Sequence, residues 1–338
     1  MRKSFLFLFI LFVLLAKLVF PQEYDFSNFA FTQPRELDYN SAILAPFENA
    51  YYDFAWNFYF NIPKGARDMV FRFPIVKDDI YQKVVRFYSV PDIKEEFFDE
   101  EANKLGIFEL GNFSENKEVK VEIGYIVECN LKEKKIFYKD IGPNYTKIDA
   151  PLLIRYLFNK EPVDDYVQKL SQKITLSEKS PLKKAYLIYN FLIKNMHYRS
   201  DYSNKDQRPL QEVLNSKEAN CFDLARVYVA LCQASGIACR QVNGVVFGPA
   251  VFFSKDVYRF GHSWVEIYLP GIGWVLSDPT FGLVRGNDFF LFYSSKRLIQ
   301  SYGSSISAIA GVLSYNADSP LIIKKEQKII FDILGENE

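Results

Sequence analysis

The chain has little histidine: His197 and His262 are the two in 338 residues. Cysteine is nearly as sparse, at Cys129, Cys221, Cys232 and Cys239. Four thiols in a chain this long exclude a disulfide scaffold. Cys232 and Cys239 are a pair that could bridge a helix to a strand, with buried free thiols the expected state. There is no Cys-x-x-Cys pair, no His-Glu-x-x-His and no acidic calcium loop, so neither a metal nor a cofactor is implied. Charge of one sign is not in excess either, since 41 basic residues face 41 acidic ones. A nucleic-acid partner is therefore not expected, because no basic surface is available to neutralise phosphates. Past the N-terminus, no run is apolar enough to cross a bilayer.

What is present begins with a basic start, Arg2-Lys3, and an apolar run from Phe5 to Ala16. This is the pattern of a secretory leader over residues 1–21, with an uncleaved anchor over residues 4–20 as the alternative. Either places the remainder outside the cytoplasm: periplasmic, secreted or held at a membrane through this segment alone. The rest, 49 % hydrophobic and 24 % charged, has the composition of a globular protein long enough for two domains.

Residues 46–148 read as short strands separated by turns, at Tyr51–Phe60, Met69–Phe73, Lys83–Val90, Gly106–Leu110, Val119–Val127 and Lys135–Lys139. That spacing predicts an antiparallel β-sandwich. From residue 149 to about 300 the texture turns helical, with candidates at 151–158, 163–174 and 208–215. Ser180-Pro181 supplies an N-cap and first-turn proline to a further helix ending near Met196. Residues 301–338 read as an extension with a Ser/Gly-rich run and a final strand over 322–334.

The chemistry gathers between residues 219 and 282. Asn220 is a good N-cap for a helix over 221–235, with Asp223 placed as in a capping box. Cys221 then falls in the first turn, where unpaired amides and the helix dipole favour a thiolate. Gly236 ends that helix and a strand follows to Val246. His262 opens an alternating run through Tyr268, Pro270–Gly273 makes a turn, and the returning strand ends at Asp278. Cysteine at a helix tip faced by histidine and aspartate from neighbouring strands is the set that thiol-based acyl transfer needs: nucleophile, base and orienting carboxylate. His197 reads as a surface histidine, and Arg240 with Glu266 as a structural pair.

The segments Cys-Phe-Asp-Leu-Ala (221–225), Gly-Ile-Ala-Cys-Arg (236–240), His-Ser-Trp-Val-Glu (262–266) and Gly-Trp-Val-Leu-Ser-Asp-Pro-Thr (273–280) resemble the transglutaminase-like superfamily, whose core is the papain-like fold. The resemblance implies an α+β chain, with a papain-like/transglutaminase-like core preceded by an antiparallel immunoglobulin-like β-sandwich. It implies Cys221 as nucleophile, His262 as general base and acid, and Asp278 as the orienting carboxylate. Tyr198, Asn220 and Trp264 are the candidate substrate-cleft residues. The family usually has glycine two residues before the nucleophile, where this chain has Ala219. The expected function is an exported cysteine peptidase or amidase, favoured over a cross-linking acyltransferase. Its partner would be a protein or peptide substrate, cell-envelope components included. The rival readings are a catalytically weak or inactive peptide- or polysaccharide-binding module on the same fold, and a structural β-adhesin. For the β-domain the expected role is a passive spacer, against holding the core or binding a partner.

Overall fold

The computed structural model describes residues 24–31, 34, 37–38, 41–45, 48–131, 134–158, 163–199, 207–246, 260–294, 296–305, 311–318 and 324–337. The expected leader over 1–21 and nearly all of the loop at 247–260 lie outside the described residues. Residues 1–32 and 33–338 are two compact units. The described part of the first is a short turn in which Asp25 Oδ1 accepts from the Ser27 amide.

The second unit opens with eight strands: β1 (Ala42–Ala45), β2 (Glu48–Ile62), β3 (Arg67–Ile75), β4 (Gln82–Val90), β5 (Glu95–Phe98), β6 (Lys104–Gly111), β7 (Lys117–Leu131) and β8 (Lys134–Phe137). β2, β4 and β7 share one antiparallel sheet, while β3, β5 and β6 share another. Strand periodicity puts alternate residues on one face, and here that face is aromatic. Tyr52, Phe54, Trp56, Phe58 and Phe60 of β2 are buried against Phe71 and Phe73 of β3. Phe58 sits 4.8 Å from both of those rings. Full burial of each such ring is worth about 2–3 kcal/mol. β5 lies between Pro91 and Glu101, where acidic residues crowd the sequence and no strand alternation shows, and all four of its residues are exposed.

Helices α1 (Ala150–Leu153), α2 (Asp165–Thr175), α3 (Pro181–Asn195), α4 (Leu210–Ser216) and α5 (Cys221–Ala234) follow, with α6 (Pro279–Arg285) later. The capping side chains are those the sequence signals: Ser180 accepts from the Lys183 amide for α3, and Asn220 from the Asp223 amide for α5. α5 is the central helix. Its Tyr228 hydroxyl donates to Ala185 O, and its Leu231 carbonyl accepts from the Ser171 hydroxyl.

Two two-residue strands, β9 (His197–Tyr198) and β10 (Glu218–Ala219), pair in parallel. The core sheet runs in the order β13-β12-β11-β14, from β11 (Cys239–Val246), β12 (Phe260–Leu269), β13 (Gly273–Ser277) and β14 (Arg297–Tyr302). The last strands return to the front of the chain: β15 (Val312–Asn316) pairs with β3 and β16 (Lys324–Asn337) with β2. Both β-domain sheets thereby become four-stranded.

Among the described residues β14 has no strand on its outer edge, and two amide side chains from the β-domain take that place. Gln82 accepts from the Ile299 amide at 2.7 Å and donates to the Ile299 carbonyl at 2.7 Å. Asn103 treats Tyr302 the same way, at 2.6 and 2.8 Å. Gln300 donates in return to the Pro74 carbonyl. Val245 and Leu298 belong to the same buried cluster as the aromatic sandwich, so the core sheet and the β-domain share apolar packing as well as hydrogen bonds.

Candidate active site

Each of the three sequence-predicted residues arrives on a different element. Cys221 is the first residue of α5 and is half-buried. His262 lies on β12, opposite Gly244 of β11. Asp278 follows β13 and caps α6, its Oδ1 accepting from the Phe281 amide at 3.0 Å. The hairpin turn at 270–273 brings the two strands together as its sequence predicts, and His262 Nε2 stands 2.8 Å from Asp278 Oδ2. Nε2 is committed to the carboxylate, and the Cys221 side chain lies close enough to the imidazole to add to the stabilisation of its charged form.

The electrostatics follow from burial. The Asp278 side chain is fully buried and that of His262 is 9 % exposed. Burial alone would suppress the imidazolium. The Asp278 charge, its hydrogen bond and the contact with Cys221 outweigh burial and raise the His262 pKa to about 9. Burial likewise works against the Asp278 carboxylate, but His262 and Arg297 together hold its pKa down at about 2. The other three cysteines are buried. Burial pushes Cys129 up to about 12 and raises Cys232 well above its usual range, with a further contribution from its hydrogen bond to Cys239. All four cysteines are free.

Tyr198 is held beside Cys221 by the short parallel pair, in register with Ala219. Burial, then the Cys221 and Asp278 charges, push its hydroxyl up to about 12. Asn220 is buried and spends its side-chain oxygen on the helix cap. Trp264 is fully buried, packed 6.0 Å from the His262 ring. Ala219 is fully buried too. His197 is exposed. Arg240 and Glu266 pair at 2.7 Å, the guanidinium lying over the rings of Tyr302 and Trp274 at 3.8 and 4.3 Å. Asp223 takes salt bridges from Arg208 and Arg226, tying the segment before α4 to the start of α5.

The sequence reading misses Arg297. It opens β14, a strand buried at every position. Its Nη1 stands 2.8 Å from Asp278 Oδ2 without an aligned N–H, so the contact is an ion pair rather than a directed hydrogen bond. One glycine is dictated by this packing. A Cβ on Gly244 would lie 1.8 Å from the Leu298 carbonyl oxygen and 2.9 Å from the Trp264 ring.

Residues 168–279 match the family model of the transglutaminase-like superfamily. The chain carries a transglutaminase-like domain. A solved structure from Cytophaga hutchinsonii, described as a proposed cysteine protease, shares the fold with a TM-score of 0.61 at 17 % identity. The match covers 87 % of this chain and 93 % of that one. Among curated proteins, an uncharacterized Haemophilus influenzae protein is 25 % identical over 251 residues, 67 % of this chain and 68 % of that protein. YebA of Bacillus subtilis, also uncharacterized, is 26 % identical over 46 % of this chain, which spans 22 % of that protein's length. The transglutaminase-like domain thus runs from α2 to the start of α6 and contains all three predicted residues. Arg297 lies beyond the matched segment.

Proposed function

We propose that this chain is an extracytoplasmic cysteine acyl-transfer enzyme that hydrolyses an amide through Cys221, His262 and Asp278. The single observation that carries the reading is the buried imidazole–carboxylate pair, 2.8 Å apart, with the Cys221 thiol beside it at a helix N-terminus. His262 Nδ1 takes the proton from Cys221 Sγ, and the thiolate attacks the carbonyl carbon of a peptide or glutamine amide. The Cys221 backbone amide, the first of α5, donates to the developing oxyanion. As the C–N bond breaks, the imidazolium returns its proton to the departing amine and a thioester remains. Water, deprotonated by the same imidazole, then releases the acid and restores the thiol. A lysine amine in place of water would give a cross-link by the same steps. Hydrolysis is favoured because the sequence has no acidic calcium loop of the kind that regulates cross-linking enzymes. The location outside the cytoplasm rests on the basic, apolar N-terminal segment.

The test is iodoacetamide alkylation below neutral pH, followed by mass spectrometry after exposure to amide-bearing peptides. A rapidly alkylated Cys221 and a thioester adduct on it are the expected results. A Cys221 that reacts no faster than a free thiol would overturn the proposal. A binding module is the second reading, favoured by buried Ala219 where the family has glycine. It predicts ligand binding that Cys221→Ala leaves intact, with no turnover in either form.

A further inference from the structure

A buried guanidinium is costly to maintain unless its surroundings need the charge. The Arg297 side chain is 4 % exposed, and its partner Asp278 is fully buried. Three aromatic rings complete the enclosure: Phe292, Phe281 and Trp264 lie 4.8, 5.0 and 5.2 Å from the guanidinium carbon. Two of these rings also pack on His262. Arg297 and His262 address the same oxygen of Asp278, each at 2.8 Å. One carboxylate oxygen therefore serves both cations. The strand that delivers Arg297 is the one whose edge is held by Gln82 and Asn103 of the β-domain.

We infer that Arg297 is a positioning residue that balances the charge of the reactive assembly and pins the Asp278 carboxylate against His262. The inference rests on the reading of Cys221, His262 and Asp278 given above. In the reactive state the site holds a thiolate, an imidazolium and a carboxylate, with a net charge of minus one and the carboxylate closed off from solvent. Arg297 brings that sum to zero. It also lets His262 become neutral during turnover without leaving Asp278 as an uncompensated buried anion. Among the described residues, the other titratable groups facing this cluster are Tyr189 from α3 and Tyr198 from β9. A phenol carries no positive charge in either protonation state, so neither supplies a cation. The β-domain thereby acquires a role at the active site: it fixes the edge strand that carries the fourth charge.

The experiment compares the pH dependence of Cys221 alkylation in the full wild-type chain, Arg297→Gln and Arg297→Lys, with thermal melts to confirm folding. Removing a positive charge makes every nearby proton harder to release. Arg297→Gln should therefore move the acid limb of the alkylation profile upward by on the order of one pH unit. Arg297→Lys keeps the charge without the planar fork, and its limb should stay within a few tenths of a unit of wild type. A folded Arg297→Gln with an unchanged profile overturns the inference. Should that variant fail to fold, a full-unit displacement in Arg297→Lys does the same. The underlying reading fails separately, when wild-type Cys221 shows no enhanced reactivity at all. In that event the effect of Arg297 is still read on the His262 ring by NMR, with His197 the other histidine in the sequence. A His262 titration that does not rise in Arg297→Gln then overturns the role of Arg297.

Discussion

The pairing of His262 with Asp278 makes a quantitative prediction about how stability depends on pH. In the folded chain the imidazole titrates near 9, against 6.5 for an ordinary histidine. A group whose pKa is raised by folding stabilises fully below its unfolded value and loses that contribution as pH climbs through the folded one. The contribution of His262 should thus be complete below pH 6.5 and gone above pH 9. At 1.36 kcal/mol per pH unit the pair contributes at most about 3 kcal/mol. Asp278 has the opposite sense: held near 2 rather than 3.8, it stabilises above 3.8 and loses that stabilisation as pH falls through 2. The perturbation is Asp278→Asn, placed in a Cys221→Ala background so that thiol ionisation does not intrude. Without the carboxylate, burial and the remaining Arg297 charge both oppose the imidazolium, and His262 should titrate below 6.5. Two assays read this: NMR titration of the imidazole, and urea unfolding at pH 6 and pH 9.5. The background chain should lose stability between those pH values, while the Asp278→Asn form should show almost none of that slope. An imidazole still titrating near 9 in Asp278→Asn would refute the assignment of its charge to this carboxylate.

Other outcomes follow from single contacts. Gly244→Ala forces a methyl into the Leu298 carbonyl oxygen, so β11 and β14 must part. A loss of about 2–3 kcal/mol or more in thermal unfolding is expected, with slower Cys221 alkylation because His262 lies opposite Gly244. Gln82→Ala leaves the Ile299 amide and carbonyl without partners and should cost about 1–3 kcal/mol in denaturant unfolding. Glu266→Gln strands the Arg240 guanidinium in the interior, with an expected loss of about 3–5 kcal/mol, and should leave the pH profile of Cys221 alkylation in place.

Much of the core was readable because local signals and chemistry coincide there. Asn220 marks the start of α5, Gly236 its end, and the Pro270–Gly273 turn sets the register that joins His262 to Asp278. The aromatic alternation of β2 likewise declares a buried face before any coordinates exist. β14 gave no such sign. Arg297, Gln300 and Ser301 are polar, yet every residue of the strand is buried, so neither alternation nor an apolar run marks it. Its polar residues meet groups from other parts of the chain, at Asp278, Pro74 and Asn243. Arg297 stayed hidden for the same reason: its meaning depends on a carboxylate that only tertiary structure brings near. The side-chain clamps at Gln82 and Asn103 are invisible too, because a glutamine or asparagine between turns looks like ordinary surface polarity.

Those clamps bear on how the molecule could be divided. A fragment cut before α1 would retain all three predicted residues but bare the outer rim of β14, with the Ile299 and Tyr302 backbone groups exposed. Such a rim recruits any passing extended chain. Excised catalytic fragments of this protein should consequently self-associate more readily than the full chain, and their insolubility would say nothing about the chemistry they carry.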